Sequence, residues 1–274
     1  MGNYKLLALD LDGTLLDSSE RVSPENLRAV RRAREAGVRV VLITGRSTPS
    51  AHRYITDIGL PDPFVTYNGA LIQQDGRVLR AITLEHRVVH RAVRTLQELR
   101  HAPVLYDTRD RRYFREDGGL HHGFLSLSKG LEHTVSPVRD LLEVRWRDIV
   151  RMSVFTDRRE VERLERDLPL LLGEGLRTTY TFFPLGGFWI YEILDAGSSK
   201  SEALRYLCGR YGIDRSEVAA AGDNGNDLDM LRWAGLGVAM RNSMEHIRGQ
   251  ADCVTERTND EHGVAEIIER FILP

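Results

Sequence analysis

The stretch Leu7–Leu16, LALDLDGTLL, decides the fold class of this chain. The apolar run that begins at Leu6 is typical of a buried parallel strand, which reads as a nearly continuous hydrophobic segment. Asp10 and Asp12 follow where that strand should end, and a Gly-Thr pair comes next. Because ligands of open α/β sheets bind outside the carboxyl ends of the strands, we expect both carboxylates at a ligand-binding edge.

Two carboxylates at one strand end repel each other, and burial makes that repulsion costly. A metal ion, a proton or a basic side chain has to offset it, and Mg²⁺ favours carboxylates together with phosphate oxygens and water. One aspartate can act as a nucleophile, and a second can donate and accept protons. The alternative is a strand that ends in an ordinary Asp-Gly turn.

The composition indicates an ordinary globular protein. The 274 residues suffice for one large domain or two smaller ones, with 42% hydrophobic and 28% charged residues. A net charge of −2 gives no reason to expect a nucleic-acid or membrane partner. The amino-terminal stretch has no signal-peptide pattern, and no apolar run approaches the roughly 20 residues of a membrane span. We therefore expect a cytoplasmic protein.

Strands and helices alternate at both ends of the chain, which predicts a parallel sheet with right-handed crossovers. In the first part the predicted elements are a helix from Ser23-Pro24 to about Glu35, a strand at Val38–Ile43, a helix from about Ser47 to Ile58 and a strand at Phe64–Thr66. In the last part they are a helix at Lys200–Tyr211, a strand at Val218–Ala221, a helix at Asn226–Trp233, a strand at Leu236–Ala239 and a closing helix at His262–Phe271.

The middle third of the sequence lacks this regular alternation of strands and helices. Its pattern predicts an inserted α+β domain of shorter strands and helices. We place the discontinuous core at residues 1–84 and 192–274 and the insertion at residues 85–191. Within the insertion, the charged run Arg109–Arg112 is interpreted as a solvated loop.

Two further motifs follow the predicted elements but are ambiguous individually. Thr44 and Gly45 end the second strand, where a hydroxyl and backbone N–H groups suit a phosphate oxygen, although a helix cap is equally consistent. Arg46 suits either a substrate contact or a surface ion pair. Lys200 lies at a helix start, where its charge opposes the helix dipole unless an anion is near. A solvated lysine is the alternative.

The segment Gly222–Asp227, GDNGND, is the second strong signal. A buried strand ends there in acids and amides at the start of a helix. Asp223 and Asp227, with Asn226 beside them, supply the hard oxygen ligands and amide groups of a magnesium site. An Asx-rich turn that caps the helix is the alternative.

Together, these four motifs resemble those of the haloacid dehalogenase superfamily, and most closely its Cof-type (class IIB) phosphatases. The Asn68-Gly69-Ala70 turn and the segment Asn259–Val264 are similar to that subfamily too, so the resemblance covers nearly the whole chain. It implies an α/β fold: a Rossmann-like parallel-sheet core domain with an inserted α+β cap domain.

The resemblance also implies roles for individual residues. Asp10 would attack phosphorus, and Asp12 would protonate the leaving alcohol and then deprotonate water. The implied metal ligands are Asp10, the backbone carbonyl of Asp12, and Asp223. The implied catalytic or phosphate-binding residues are Leu11, Thr44, Gly45, Arg46, Lys200 and Asn226, with Asn68 and Asp227 in support.

The implied function is a Mg²⁺-dependent phosphatase that hydrolyses phosphomonoesters of small metabolites through an aspartyl-phosphate. A phosphomutase or phosphotransferase of the same superfamily is an alternative, and a catalytically silent binding protein is another. The expected partner is a small phosphorylated metabolite, bound by a monomer or weak homo-oligomer.

Two expectations concern substrate access. The loop Met240–Ser243 carries Arg241 where the family commonly has glycine, which leaves the loop conformation open. Aromatic residues of the cap either touch substrate or, as expected for most, form its core. They are Tyr106, Tyr113, Phe182, Phe183, Phe188 and Trp189.

Overall fold

A computed structural model describes residues 4–60, 63–118, 122–183 and 186–273. The chain forms two compact units, Met1–Arg80 with Ser199–Pro274, and Ala81–Ser198. The chain therefore leaves the first unit once and later returns to it. Within the described residues, no helix has the length and apolar character needed to cross a membrane.

The first unit begins with a buried strand, followed by a helix with a side-chain cap. Ser23 Oγ accepts a hydrogen bond from the Asn26 backbone N–H, and Pro24 occupies the first turn, so the first helix starts where predicted. In chain order the elements are β1 (Leu6–Leu9), α1 (Pro24–Glu35), β2 (Arg39–Leu42), α2 (Thr48–Ile58), β3 (Phe64–Thr66), β4 (Leu71–Gln74) and β5 (Arg77–Ala81).

The second unit is built on a six-stranded sheet. Its elements are α3 (His86–Glu98), β6 (Val104–Asp107), β7 (Arg112–Arg115), α4 (His122–Leu127), β8 (Val135–Val138), β9 (Ile149–Thr156), α5 (Arg158–Leu172), β10 (Leu176–Phe183) and β11 (Phe188–Asp195). The strand order is β10-β11-β9-β6-β7-β8, and neighbours are antiparallel except β7 and β8. Apolar residues of α3, α5 and the sheet form one buried cluster.

The chain then returns to the first unit. The remaining elements are α6 (Lys200–Tyr211), β12 (Val218–Gly222), α7 (Leu228–Trp233), β13 (Leu236–Ala239), α8 (Glu245–Arg248), β14 (Cys253–Val254) and α9 (Gly263–Ile267). The predicted closing helix is α-helical only over α9, and a π-helical turn at Ile268–Ile272 continues it.

All paired strands of the first unit's main sheet are parallel, in the order β14-β13-β12-β1-β2. β1 lies between β12 and β2. Leu7 and Leu9 face a cluster that includes α1 and α9, and Leu6 and Ala8 face a cluster that includes α6 and α7. Burial on both faces explains the continuous apolar run of β1. The predicted α/β class with a parallel-sheet core is confirmed.

The carboxyl ends of three strands therefore meet at one edge of this sheet. Asp10 follows β1, Asp223 follows β12, and Thr44 lies just beyond β2. A parallel bridge between Ile43 and Val65 brings β3 beside the end of β2. Parallel pairing thus gathers the predicted site residues, although they are far apart in sequence.

The second unit differs from its prediction in two places. Arg112 was expected in a solvated loop, but it opens β7, lies opposite Tyr106 of β6 and is buried. Its guanidinium donates a hydrogen bond to Ser128 Oγ at 3.2 Å. β11 also continues beyond the expected boundary at residue 192, because it pairs with β10 as far as Asp195. The second unit accordingly extends to Ser198.

The turn after β3 packs against the start of α6. Tyr67 and Asn68 have positive φ values of 52° and 53°, and Gly69 has a φ of 99°. A Cβ atom added to Gly69 would lie 2.0 Å from the carbonyl oxygen of Ser199. Glycine is therefore required for both the backbone conformation and the close approach.

We expect Gly69→Ala to lower the free energy of unfolding by about 3 kcal/mol or more, because it combines backbone strain with a backbone clash. Gly76→Ala is the matched control, since Gly76 has a φ of 72° but nothing within 4 Å of an added Cβ. Gly76→Ala should lower the free energy of unfolding by only about 1 kcal/mol. Equal losses in chemical denaturation would show that the contact with Ser199 is unimportant.

Candidate active site

The sheet holds Asp10 at the end of its central strand. The Asp10 backbone N–H donates to the Ala221 carbonyl oxygen at 3.1 Å, which extends the β1–β12 pairing by one residue. Asp10 is only 5% exposed. A turn at Leu11–Leu15 follows, in which the backbone of Asp12 is extended and Gly13 has a φ of 72°. The nucleophile candidate is thus placed by a rigid strand.

Lys200 occupies the first position of α6 and lies between two carboxylates. Its Nζ donates to Asp10 Oδ1 at 2.6 Å and to Asp227 Oδ1 at 2.5 Å. Burial alone would lower the pKa of this lysine, but the charges of Asp10 and then Asp227 raise it above its usual value. Lys200 is therefore a buried ammonium, and the two carboxylates offset its opposition to the helix dipole.

Asp227 uses both of its oxygens within the protein. Oδ1 accepts from Lys200, while Oδ2 accepts the backbone N–H groups of Asp223 at 3.1 Å and Asn224 at 3.0 Å. A Cβ atom on Gly222 would lie 2.5 Å from the Asp227 Cβ. Glycine at that strand end is therefore needed for this carboxylate to fold back against its own loop.

Asp223 approaches the turn that follows β1. Thr14 Oγ1 donates to Asp223 Oδ1 at 3.2 Å. A Cβ atom on Gly13 would lie 2.3 Å from Asp223 Oδ2, so this glycine makes room for the carboxylate. Burial, and secondarily the charge of Asp227, raises the pKa of Asp223 to about 7.

The carboxylates of Asp10, Asp223 and Asp227 suit a hard divalent cation. One oxygen from each lies within 4.8 Å of the others. Asp227 already binds Lys200 and two backbone N–H groups, so Asp10 and Asp223 are the better ligands. Burial first, and then neighbouring acids, raises the pKa of Asp10 although Lys200 lowers it. A cation would reduce that repulsion, so the donor set fits a metal.

The Asp12 carboxylate is bound by Arg46. The guanidinium donates from Nε to Asp12 Oδ2 at 2.8 Å and from Nη2 to Asp12 Oδ1 at 2.5 Å, a bidentate pair. Arg46 Nη2 also contacts Glu20 Oε1 at 3.3 Å. Glu20 was not predicted, and it lies outside every motif that the sequence displays. A phosphate contact by Arg46 stays a prediction.

The loops after β2, β3 and β12 are joined by hydrogen bonds. Thr44 Oγ1 accepts the Arg46 N–H at 3.1 Å, and the Asn68 N–H donates to the Thr44 carbonyl at 3.1 Å. Asn226 Nδ2 donates to Asn68 Oδ1 at 2.9 Å. A Cβ on Gly45 would lie 2.9 Å from Asn68 Oδ1. These predicted residues therefore lie in one connected loop cluster, whereas Leu11 is buried in the hydrophobic core.

Arg241 binds the segment that follows β14. Its guanidinium donates to the Glu256 carbonyl oxygen at 2.7 Å. The next residue, Asn242, donates to the Gly13 carbonyl at 2.8 Å and accepts from the Asn259 N–H at 3.0 Å. Asn242 thereby joins this loop to the β1 turn, a role that the residue pattern alone did not predict.

Sequence comparison places this site in a known family. The profile of the haloacid dehalogenase-like hydrolases matches residues 7–268. The chain belongs to this family. The predicted resemblance to its Cof-type phosphatases is thereby confirmed, and the chain is a phosphoric monoester hydrolase.

Curated relatives match this haloacid dehalogenase-like hydrolase over nearly its whole length. The 5-amino-6-(5-phospho-D-ribitylamino)uracil phosphatase YitU of Bacillus subtilis is 30% identical over 271 residues, with 97% of each chain covered. The phosphoglycolate phosphatase of Methanothermobacter thermautotrophicus is 30% identical over 269 residues, covering 98% of this chain and 99% of that protein.

Solved structures of this family have the same fold. BT1666 from Bacteroides thetaiotaomicron, a phosphatase of the superfamily, matches with a TM-score of 0.81 and 29% identity, covering 98% of this chain and 95% of that one. TM0651 from Thermotoga maritima matches with a TM-score of 0.82 and 25% identity over 99% and 98% of the two chains.

The raised pKa of Asp223 predicts a pH dependence of metal binding. Its pKa is about 7 in the folded protein and 3.8 when unperturbed. Between those values the folded state retains a proton that the unfolded state has released, so metal-free stability decreases as pH rises. A metal binds the carboxylate form, so magnesium should raise the melting temperature more at about pH 8 than at about pH 6.

Asp223→Asn should abolish the magnesium-dependent rise at both pH values. Asp57→Asn, on the exposed side of α2, makes the same chemical change away from the cluster and should retain it. A magnesium effect that is independent of pH in the parent protein would contradict the role of Asp223.

Proposed function

We propose that this hydrolase is a Mg²⁺-dependent phosphatase that forms an aspartyl-phosphate on Asp10. The observation that supports this most directly is the buried Asp10 carboxylate, bound through Oδ1 to Lys200 and close to Asp223. Binding through Oδ1 leaves Oδ2 as the attacking oxygen. Lys200 favours the ionised form of Asp10, which a nucleophile requires.

In the first step, Asp10 Oδ2 forms a bond to phosphorus while the bond from phosphorus to the ester oxygen breaks. Asp12, in its protonated form, gives a proton to the departing alkoxide, which leaves as an alcohol. In the second step, Asp12 removes a proton from water, whose oxygen bonds to phosphorus as the Asp10–phosphorus bond breaks. Inorganic phosphate is released, and both aspartates regain their starting protonation.

The rest of the site stabilises the negative charge of the phosphoryl group. We propose that Thr44, Gly45, Arg46, Asn226 and Lys200 contact its oxygens, since they lie around the same loop cluster. Asp10, the Asp12 carbonyl and Asp223 would hold the magnesium ion, which supplies positive charge against the phosphoryl oxygens when bound. Catalysis would then depend mainly on positioning and charge stabilisation, as is usual in phosphoryl transfer.

The proposed substrate is a phosphomonoester of a small metabolite such as a sugar phosphate. The curated relatives are named for two chemically different substrates, so they support the class and no single member. We propose that residues 81–198 act as the cap and the other unit as the catalytic core. Among the cap aromatics, Tyr106 and Phe188 are buried, which fits core positions, whereas Phe182 is exposed.

Asp10→Asn should reduce turnover of p-nitrophenyl phosphate with magnesium by at least about 10³-fold, because the amide is not a nucleophile. Mass spectrometry of acid-quenched parent enzyme should show a phosphorylated Asp10 peptide that the variant lacks. Circular dichroism would confirm that the variant is folded. Full activity of Asp10→Asn would contradict the nucleophile assignment, and phosphoryl transfer to a hexose instead of water would contradict the hydrolase assignment.

A further inference from the structure

Glu20 lies between two arginines in an alternating chain of charges that reaches Asp12. Glu20 Oε1 contacts Arg46 at 3.3 Å, and Arg46 holds Asp12 by two hydrogen bonds. On its other side, Glu20 Oε2 accepts from Arg53 Nη2 at 2.8 Å and from Tyr54 Oη at 3.4 Å. The order is acid, base, acid, base, from Asp12 to Arg53.

We infer that Glu20 is a positioning residue that fixes Asp12 through Arg46, an inference that rests on the proposed function. Arg46 contacts Asp12 directly, through Nε and Nη2 of its guanidinium. Glu20 binds the same guanidinium from a second direction, so that the guanidinium has one orientation toward Asp12.

The turn at residues 17–21, which carries Glu20, is itself anchored. A bridge between Leu16 and Val22 closes it, and Asp17 Oδ1 accepts the backbone N–H groups of Ser19 and Arg21, each at 2.9 Å. The turn is also bound to the segment Asn259–Glu261, because the Ser18 N–H donates to Asp260 Oδ1 at 2.6 Å. Glu20 has a φ of 55°, which this closed turn maintains.

The burial of Arg46 distinguishes this chain of charges from an ordinary surface ion pair. Exposed pairs contribute little because water screens them and their side chains are mobile. The Arg46 side chain is only 16% exposed, and its guanidinium lies 5.1 Å from the centroid of the Tyr54 ring. Asp12, in contrast, is 52% exposed, so it depends on Arg46 for a fixed orientation.

Loss of Glu20 should mainly affect substrates whose leaving group needs a proton from Asp12. An alkoxide is a poor leaving group and needs the Asp12 proton, whereas p-nitrophenolate is a weak base that leaves without one. A loss of Asp12 positioning should therefore reduce kcat/KM for an alkyl phosphate more than for p-nitrophenyl phosphate. A general loss of structure would reduce both equally.

The test compares Glu20→Gln with the parent enzyme on both kinds of ester. We expect kcat/KM for an alkyl phosphate such as glycerol 2-phosphate to fall about fivefold, and kcat/KM for p-nitrophenyl phosphate to fall less than about twofold. The fivefold loss is a fraction of what complete removal of a general acid costs. Glu25→Gln is the matched control, since Glu25 pairs with Arg28 at 2.8 Å on α1. It should leave both values unchanged.

Equal losses for the two esters, no loss, or a gain in Glu20→Gln would overturn the inference. A second measurement does not need activity: the melting-temperature shifts of Glu20→Gln and Arg46→Gln should be non-additive in the double variant. If the parent enzyme hydrolyses neither ester, the proposed function fails. Additive melting-temperature shifts would then also contradict the coupling of Glu20 to Arg46, whereas non-additive shifts would support that coupling.

Discussion

The ion pairs of the buried Lys200 ammonium are the interactions on which the first unit depends. Three carboxylates, those of Asp10, Asp223 and Asp227, converge at one sheet edge, where burial makes their repulsion costly. Lys200 binds two of them within 2.6 Å and is itself nearly inaccessible to water. Removing either partner of such an arrangement leaves an uncompensated buried charge, typically at a cost of about 3–5 kcal/mol. Stability and chemistry therefore depend on the same contacts.

Backbone geometry makes this convergence possible. β1 lies between β12 and β2, so the segments after these strands necessarily meet. The glycines at 13 and 222 then admit carboxylates where a Cβ atom would be within 2.5 Å of Asp223 or Asp227. The turn at Gly69 fits against Ser199 in the same way, immediately before Lys200. The site is thus assembled from close backbone approaches as much as from polar side chains.

The first unit was largely predictable because its signals are strong and local. Continuous apolar strands, the Ser-Pro start of α1 and the strand-end motifs each specify an element and its place in the sheet. The second unit was less predictable, because β7 and β8 are four residues long and carry polar side chains. The buried Arg112 looks like a surface residue in sequence. Likewise, the buried pair of Arg151 and Glu192 joins residues 41 positions apart that no local pattern connects.

The environments of Asp10 and Asp12 explain how two identical side chains, two positions apart, are suited to different roles. Asp10 is buried, contacts a lysine that is buried with it, and faces a second carboxylate. Asp12 is half exposed and is held by an arginine from a different loop. Nucleophilic and acid–base roles are divided between paired carboxylates when their environments differ in this way. The spacing of the motif permits such a division, but Lys200 and Arg46, which lie far away in sequence, create it.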